Sequence, residues 1–518
     1  MRLGHASGRR RDGRLRPQRG ADDAAGRRMS ALAAVIGAGV NELVCARALA
    51  RAGRRVLVLD PRPAGDESLA ESGWVLPRIV RGLGLGGRGL KLDHPDPWAV
   101  APLPGGGRLE LVHDMARSTE AIRRLSPRDA AKWPAFCERM ARLARWLEHV
   151  YAAPPPDPAS RELGDLVELA RLALRARRLG RRGVEDLLRL VPMSVADWLD
   201  EWFESDALKA VLGAAGVMYL YRGPRSGGTA FVLLHHHVGS PMGVFRPPRS
   251  NIGRVLREMP GVEIRRGAKV AVISVRAGRA AGVVLADGEE IAAPLVVSGA
   301  DPRRTLLDLV DPGWLDPELA RAVRNIRCRG VAGQVRLALE RPAGFSRLVV
   351  APSLDYLERA WDDAKYARVS RAPYLEAVSD GRSADGRHRA EVHVQYAPYA
   401  LADGGWDDGR RVALGDLAVK VLARHVPDFG AAVVEGVLSP RDLEEQFGFP
   451  EGQAHHAELA PDQALWMRPV PALARYRTPV EGLYLCGPGT HPGGAIAGAC
   501  GYNAAREILR DLRRGKLE

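Results

Sequence analysis

A glycine turn between two apolar segments near residue 37 constrains the fold of this chain more than any other feature. Residues 34–60 read AVIGAGVNELVCARALARAGRRVLVLD: a short apolar strand, a glycine turn, a helix with apolar spacing and a second apolar strand. Two parallel strands joined by a helix form a βαβ unit, the building block of doubly wound sheets. The sequence therefore predicts an α/β fold with a Rossmann-like domain at its start.

The same turn carries most of a dinucleotide-binding signature. In GxGxxG the first glycine permits the tight turn, and the second lets the backbone approach a pyrophosphate at the positive end of the helix. Gly37 and Gly39 occupy these positions, and Asp60 lies where a carboxylate would bind ribose hydroxyls. Glu42 replaces the third glycine, so its carboxylate can repel a pyrophosphate if it turns inward. Alone, the motif also fits an ordinary tight turn without a ligand.

A second glycine-rich segment lies near the end of the chain. Residues 482–509 read GLYLCGPGTHPGGAIAGACGYNAAREIL and predict a strand, a run of glycines and a helix. The glycines concentrate free N–H groups at the start of the helix. Such a terminus suits a negative group, for example the anion that develops on a flavin ring when it accepts a hydride. A glycine-rich loop without a ligand is the alternative.

These segments, and several between them, closely resemble the phytoene desaturase-like flavoprotein amine oxidase superfamily. The resemblance is carried by VIGAGVNELV, VLVLD, MSVADWLDEWFES, GPRSGGTAFVLLHHH, VVSGADPRRTLLDLV, VQYAPYAL, AELAPDQALWMRPVPALARYRTP and CGPGTHPGGAIAGACGYNAA. It implies a Rossmann-like FAD/NAD(P)-binding domain with a β-meander and an α+β substrate domain, with the ring of FAD at their interface. It also implies an FAD-dependent oxidoreductase, dehydrogenase- or desaturase-like, that exchanges a hydride with a small hydrophobic substrate.

By position, the resemblance assigns cofactor contacts to both glycine segments and to the predicted meander. Gly37, Gly39 and Asp60 would hold the pyrophosphate and the adenosine ribose, and Val270 would lie near the adenine. The contacts along the FAD and under its ring would be Gly487, Gly489, Gly493, Gly494, Ala495 and Ile496. His455, His456 and His491 are candidates for proton transfer or flavin contact, because their segments match the family near the cofactor.

Three cofactor-contacting elements depart from the family pattern. Glu42 is the first, and the second is a double glycine that follows the second strand in relatives and is missing from residues 60–80. The third is the segment 244–251, VFRPPRSN, where relatives carry Gly-Gly-Met-Gly. Two further hypotheses therefore stay open. One is a non-catalytic binding or scaffold protein with weakened or lost FAD binding, and the other is a nicotinamide dinucleotide at the same βαβ unit.

The coarse pattern divides the chain into six segments. We predict a disordered tail at 1–28, FAD-binding segments at 29–95, 245–310 and 470–518, and substrate-domain segments at 96–244, which is mostly helical, and 311–469. Residues 261–301 read as short alternating strands with turn signals at Ala277-Gly278 and Asp287-Gly288. They predict a β-meander followed by a returning strand.

Charge and cysteine content exclude several classes of function. Nine Arg and three Asp in residues 1–28 account for +6 of the net charge of +14, so the remaining +8 is spread too thinly for a nucleic-acid footprint. The five cysteines form no CxxC pair and no metal-ligand spacing. Residues 1–28 contain no apolar core of a secretory signal, and no apolar run approaches the roughly 20 residues of a membrane span. We expect a cytoplasmic protein.

Other conspicuous residues have structural explanations. His235-His236-His237 is expected on an extended segment, where side chains alternate between faces and cannot grip one ion, so no metal site is predicted. Asp462 and Arg468 are expected to form ion pairs, and Cys486 and Cys500 to pack as small buried thiols. The segment 171–182, with six Arg among apolar residues, predicts an amphipathic helix that is either a solvated surface or a peripheral contact with an anionic membrane.

Overall fold

The computed structural model describes residues 32–62, 73–382 and 386–517. Its α-helices are α1 (Val40–Arg51), α2 (Pro77–Leu83), α3 (Met115–Arg123), α4 (Pro127–Tyr151), α5 (Leu163–Arg178), α6 (Gly180–Leu190), α7 (Val195–Asp200), α8 (Asp206–Val217), α9 (Thr229–His237), α10 (Ile252–Glu258), α11 (Pro317–Arg324), α12 (Leu354–Lys365), α13 (Asp408–Ala423), α14 (Pro440–Phe447) and α15 (Ala499–Arg513). Its β-strands are β1 (Leu32–Ile36), β2 (Arg55–Asp60), β3 (Trp74–Val75), β4 (Leu92–Asp93), β5 (Ala99–Pro102), β6 (Arg108–Leu111), β7 (Arg249–Ser250), β8 (Glu263–Arg266), β9 (Val270–Arg276), β10 (Arg279–Leu285), β11 (Glu290–Ala292), β12 (Leu295–Ser298), β13 (Ala332–Leu339), β14 (Arg347–Val350), β15 (Leu375–Arg382), β16 (His388–Gln395), β17 (Val433–Leu438), β18 (Leu483–Leu485) and β19 (Ile496–Ala497).

A five-stranded parallel sheet forms around the first βαβ unit, in the order β18-β12-β1-β2-β8. Strand β1 is apolar along its whole length, and β12 is apolar except for Ser298, because both faces of the sheet are covered, as expected for a parallel sheet. Helices α1 and α15 pack closely together beside the sheet: Gly501 lies so near Asn41 that a side chain at this glycine would overlap the Asn41 carbonyl. The predicted α/β class and Rossmann-like sheet are confirmed.

The predicted meander is a three-stranded antiparallel sheet, β9-β10-β11. Its first turn is at Ala277-Gly278, both with positive φ, and β12 then returns to pair with β1. One part of this prediction is wrong. Strand β8 belongs to the parallel sheet beside β2 and not to the meander, because its register pairs Ile264 with Val58.

A second large sheet is mixed and has seven strands, in the order β17-β13-β16-β15-β14-β5-β6. Helices α3, α4 and α7 to α9 share an apolar core whose aromatic rings include Trp133, Phe136, Phe203 and Phe245, with centroids 4.9 to 6.1 Å apart. Helices occupy most of residues 115–217. The six-segment division stays a prediction, and its tail lies outside the described residues.

Two local expectations about secondary structure are wrong. His235–His237 end helix α9 and do not lie on an extended segment; α9 is buried on all sides, so its continuous apolar run shows no helical periodicity. The arginine-rich segment 171–182 forms the end of α5 and the start of α6, two helices separated at Gly180, whose φ of +74° breaks the first helix. In the part of the chain that the structure describes, no helix is long and apolar enough to cross a membrane.

Candidate functional site

The glycine turn lies at the carboxyl edge of the parallel sheet. The Gly37 N–H donates to the Leu59 carbonyl at 2.8 Å, and a φ of +95° at Gly37 turns the chain sharply. Gly39 is the exposed N-cap residue of α1, and no side-chain hydrogen bond caps this end of the helix. Backbone donors at this end of α1 therefore face the place where a dinucleotide fold holds its pyrophosphate.

Glu42 turns inward beneath this turn. It is buried, with 5% of its surface exposed, and its side chain packs against three glycines. A Cβ placed on Gly39 would come within 2.5 Å of Glu42 Oε2, one on Gly37 would lie 3.4 Å from its Cγ, and one on Gly299 would overlap the carboxylate. The carboxylate thus fills the notch that the glycines leave open.

The electrostatics of Glu42 reflect this burial. Desolvation raises the pKa of Glu42 from 4.5 to about 7. The nearby backbone N–H groups of Glu42 and Gly39 and the positive charge of Arg62 lower this pKa, but by less than desolvation raises it. The charge of Asp60 adds a further increase. A carboxylate buried at the N-terminus of a helix occupies the position of an anionic ligand, so Glu42 and a bound pyrophosphate would compete.

Asp60 ends β2 and is buried against Arg62. Arg62 Nε lies 3.0 Å from Asp60 Oδ1, and its Nη2 lies 3.3 Å from Oδ2 and 3.4 Å from the Ala38 carbonyl. The carboxylate proposed for the ribose is thus already paired with a guanidinium that also reaches the glycine turn. The sequence did not identify Arg62 as part of the site, although its position two residues after Asp60 was a usable signal.

The closing glycine segment meets the same edge of the sheet. The Cys486 N–H donates to the Ser298 carbonyl at 2.8 Å, and Gly487 lies so close to Gly299 that a Cβ would overlap the Gly299 carbonyl. Helix α15 begins after Gly498, whose φ is +75°. The two glycine segments, which are more than 440 residues apart in the chain, therefore meet in one cleft at the carboxyl ends of β1, β2, β12 and β18.

The loop after Gly487 is held by Arg468, which is fully buried. Its guanidinium donates at 2.7 to 3.3 Å to backbone carbonyls of His455, Ala457, Glu458, Gln463, Pro488 and Thr490. Burial lowers its pKa to about 10. The expectation that Arg468 forms an ion pair is wrong because its partners are carbonyls, whereas Asp462 does pair with Arg327, at 2.7 Å.

Four side chains with aromatic or imidazole rings face Gly494, and we refer to them as the wall: Tyr151, His235, His455 and Tyr219. The Tyr151 hydroxyl lies 2.7 Å from His235 Nδ1, and His235 Nε2 lies 2.8 Å from the Gly494 carbonyl. His455 lies directly against Gly494, where a Cβ would overlap its ring, and it contacts Tyr219 with ring centroids 5.4 Å apart. The sequence could not foresee the pairing of Tyr151 with His235, because 84 residues separate them.

The imidazoles at this wall are uncharged at neutral pH. Burial lowers the pKa of His235 to about 3 and that of His236 to about 4, and it holds that of His455 well below its usual value. None of them is placed to act as a cation near neutrality. The wall is therefore polar at its edges and electrically neutral.

The other two histidine candidates, His456 and His491, lie beside and within the closing loop. His456 lies beside Gly489, where a Cβ would be 3.4 Å from the His456 Cβ, and burial lowers its pKa to about 3. His491 is fully buried, with Nε2 3.2 Å from the Val150 carbonyl, and its pKa is lowered to about 4. Both stay candidates for cofactor contact.

The remaining predicted contacts lie at the edges of the cleft. Gly493 packs against Leu459 and Arg468. Ala495 and Ile496 lead into β19, which pairs with β3. Val270 begins β9 and is buried beyond the end of β2, where the Ala268 N–H donates to the Asp60 carbonyl at 2.9 Å.

The altered segment 244–251 turns toward the seven-stranded sheet. Arg246 is buried and pairs with Glu376 at 2.9 Å, and Glu376 also lies 3.1 Å from Arg347. Asn251 instead accepts the Lys91 N–H at 2.7 Å. Residues 63–72, about half of the segment 60–80 that lacks the double glycine, lie outside the described residues.

Comparison with known proteins identifies this arrangement. The family model described as flavin containing amine oxidoreductase matches residues 76–509. The chain belongs to the flavin containing amine oxidoreductase family. Pyridine nucleotide-disulfide oxidoreductase domain-containing protein 2 of Rattus norvegicus is 30% identical to it, over 93% of this chain and 94% of that protein. Hydroxyneurosporene desaturase of Cereibacter sphaeroides is 27% identical, over 92% and 97%. The predicted resemblance is confirmed.

A solved structure of wild-type putrescine oxidase bound to putrescine shares the fold, with a TM-score of 0.57 and 17% identity over 93% of this chain and 99% of that one. Membership of the flavin containing amine oxidoreductase family makes FAD the cofactor. Glycines let the two halves of the cleft approach closely: a Cβ on Gly487 would overlap the Gly299 backbone, and one on Gly39 or Gly299 would overlap Glu42. His456 Nδ1 is also buried there without a hydrogen-bond partner in the part of the chain that is described.

Gly37, Gly39, Asp60 and the segment 487–496 would hold FAD in this cleft. Two described side chains conflict with the fit. Glu42 must take up a proton or turn outward to leave the N-terminus of α1 to a phosphate, and Arg62 must leave the Asp60 carboxylate to a ribose. The family cofactor and the local geometry therefore agree on the location of the site and disagree at these two residues.

Proposed function

We propose that this flavoprotein oxidoreductase exchanges a hydride with a hydrophobic substrate at the wall formed by Tyr151, His235, His455 and Tyr219. The observation that carries the proposal is the neutrality of this wall, which lies against Gly494 of the closing glycine segment. Bound FAD supplies the acceptor or donor of the hydride. The name of the relative hydroxyneurosporene desaturase supports dehydrogenation as the class of reaction.

The chain's own residues contribute position and exclusion of water. Hydride transfer requires the donor carbon to be held against its partner, and it needs no charged side chain at the reacting atoms. Rings of tyrosine and neutral histidine present an apolar face to a substrate, and the hydrogen bond from Tyr151 to His235 fixes the orientation of that imidazole. Water is excluded because each of these side chains is buried or nearly so.

Anaerobic mixing of the FAD-loaded protein with candidate substrates tests the proposal. We expect uncharged alkenes or cyclic terpenes to bleach the absorbance of oxidised flavin, whereas a diamine such as putrescine leaves it unchanged. The Tyr151→Phe variant should slow the bleaching by about tenfold, because it removes one of the two hydrogen bonds that orient the imidazole of His235. Bleaching by charged amines alone would refute the hydrophobic substrate.

A second candidate function is a binding or scaffold protein that has lost the cofactor. Glu42 in the glycine notch and Arg62 on Asp60 favour it, since both occupy positions that a dinucleotide would contact. Retention of FAD during gel filtration distinguishes the two candidates.

We also propose a reducing compartment, the cytoplasm, for this protein. The five cysteines are free and buried, and Cys486 and Cys500 pack beside the glycine segments as small thiols. Fractionation of cells that express the tagged full-length chain tests the compartment.

A further inference from the structure

Helix α5 exposes several large apolar side chains to solvent and buries a carboxylate. Of its residues, all of which the structure describes, only Asp165 is buried, and the Asp165 carboxylate lies 2.8 Å from Arg475. Glu162, just before the helix, pairs with Arg510 and Arg514 at 3.0 Å. A cavity of about 420 Å³ lies between α5 and α15 and is lined largely by charged side chains. Ion pairs, together with the half-buried Leu172, which packs against the core, therefore hold α5 to the protein.

Four apolar residues of α5 point the other way. Leu163, Leu166, Val167 and Leu174 are 77%, 49%, 39% and 58% exposed. Their spacing of three, four and seven residues places them on one face, opposite the face that carries Asp165. Leu188 on α6 is 69% exposed as well. Exposed leucines along one stripe mark an interaction surface, whereas scattered single ones do not.

Unpaired arginines flank this stripe. Residues 171–182 contain six Arg and no acidic residue. Arg171 pairs with Glu168 and Arg181 with Glu185, but no ion pair or hydrogen bond within the described chain holds the side chains of Arg175, Arg177, Arg178 or Arg182. An apolar stripe with arginine on both sides is the arrangement of a helix that lies in the interface of a bilayer.

We propose that the exposed face of α5, defined by Leu163, Leu166, Val167 and Leu174 with the arginines of 171–178, docks on the surface of an anionic phospholipid bilayer. A second copy of this chain is a poor occupant, because a twofold contact through this face would set its arginines against each other. A bilayer satisfies both features: the leucines enter the acyl boundary and the guanidiniums reach phosphate groups. The proposal does not depend on the oxidoreductase activity.

Vesicle flotation of the full-length protein tests the proposal. We expect the protein to float with vesicles of phosphatidylcholine and phosphatidylglycerol, to stay behind with phosphatidylcholine alone, and to be released by salt. Changing Arg175, Arg177 and Arg178 to Gln should weaken binding by about fivefold for each residue. The matched control changes Arg321, Arg324 and Arg341 to Gln, which are exposed elsewhere on the surface, and should leave binding unchanged.

The apolar stripe needs its own variant. Leu163, Leu166 and Leu174 changed together to Gln should abolish flotation, whereas the exposed set Trp314, Tyr366 and Val412 changed to Gln should not. A direct readout uses Leu174→Cys labelled with an environment-sensitive dye. Since the five native cysteines are buried, the dye attaches at position 174, and its emission should shift to the blue on anionic vesicles.

The proposal fails if anionic vesicles do not bind the protein, or if the leucine variant, melting at the parent temperature, still floats. It also fails if light scattering shows a dimer that the leucine variant converts to a monomer, because the stripe is then an interface between copies. An unshifted emission from the dye at position 174 on vesicles that carry the protein would likewise overturn it.

Discussion

The carboxylate of Glu42 in α1 lies in the notch beside Gly299, in the space that any side chain at that glycine would need. It is buried beneath the start of the helix, so the chain places its own anion where the fold would receive a phosphate. The arrangement links the stability of the protein and its affinity for FAD to a single proton.

The first prediction concerns stability and pH. The pKa of Glu42 is raised from 4.5 to about 7, so the folded state holds this proton more tightly than the unfolded state. Its contribution to stability is therefore lost as pH rises from about 4.5 to about 7, and the loss is about 3 kcal/mol. Urea unfolding across this pH range should show that the free energy of unfolding of Glu42→Gln rises relative to that of the parent by about that amount. A constant difference would mean that the carboxylate is solvated.

The second prediction concerns FAD affinity. A carboxylate held about 4 Å from a phosphate charge costs on the order of 4 kcal/mol at an effective dielectric near 20, roughly a thousandfold in affinity. Glu42→Gly should therefore tighten FAD binding in calorimetry by up to that factor. The parent should bind FAD more tightly as pH falls through about 7, and the glycine variant should not. Glu42→Gln separates charge from bulk, since it removes only the charge. Equal affinity in all three proteins would place the defect elsewhere.

The third prediction uses the neighbours of Glu42. The charge of Arg62 lowers the pKa of Glu42 and that of Asp60 raises it. The pH midpoint of FAD binding should therefore move up in Arg62→Gln and down in Asp60→Asn. Midpoints that move together would show that the two residues act through folding and not through the charge of Glu42.

The fourth prediction concerns Arg468, which organises the loop after Gly487. Arg468→Met leaves carbonyls buried without donors, so it should destabilise the protein by about 3 kcal/mol or more. Arg441→Met, which removes an exposed pair with Glu445, should cost less than about 1 kcal/mol. Similar unfolding midpoints for the two variants would contradict the structural role of Arg468.

The fifth prediction concerns catalysis. Since burial lowers the pKa of His235 to about 3 and that of His491 to about 4, the rate of flavin reduction by substrate should show no histidine titration near neutral pH. A rate that changes tenfold for each pH unit around 6.5 would instead assign an acid–base role to an imidazole at the wall.

The sequence predicts the parts of the fold that local pattern determines. The first βαβ unit, the meander turn at Ala277-Gly278 and the closing strand, loop and helix all form as expected, because period, glycine and strand length are local signals. The sequence VLLHHH predicts an extended segment where the structure has a helix, because a helix that is buried on every side shows no helical periodicity of apolar and polar residues. The break between α5 and α6 depends on one left-handed glycine, Gly180.

The candidate site was predictable only where its residues belong to a motif. Gly37, Asp60 and Gly487 were identified from spacing or resemblance. The hydrogen bond between Tyr151 and His235 joins helices far apart in the chain, and the carbonyls around Arg468 come from several loops. Tertiary packing determines that the Glu42 side chain turns inward. The sequence alone predicted only that an inward carboxylate would repel a pyrophosphate.

The visible absorption spectrum of the purified protein, supplemented with FAD and passed through gel filtration, tests the central claim most directly. The cleft formed by Gly37, Gly39, Asp60 and residues 487–496 should retain flavin at near one per chain, more firmly below the pKa of about 7 of Glu42 than above it. The protein should also melt at a higher temperature with FAD than without it. A colourless protein whose melting temperature FAD leaves unchanged would contradict the account.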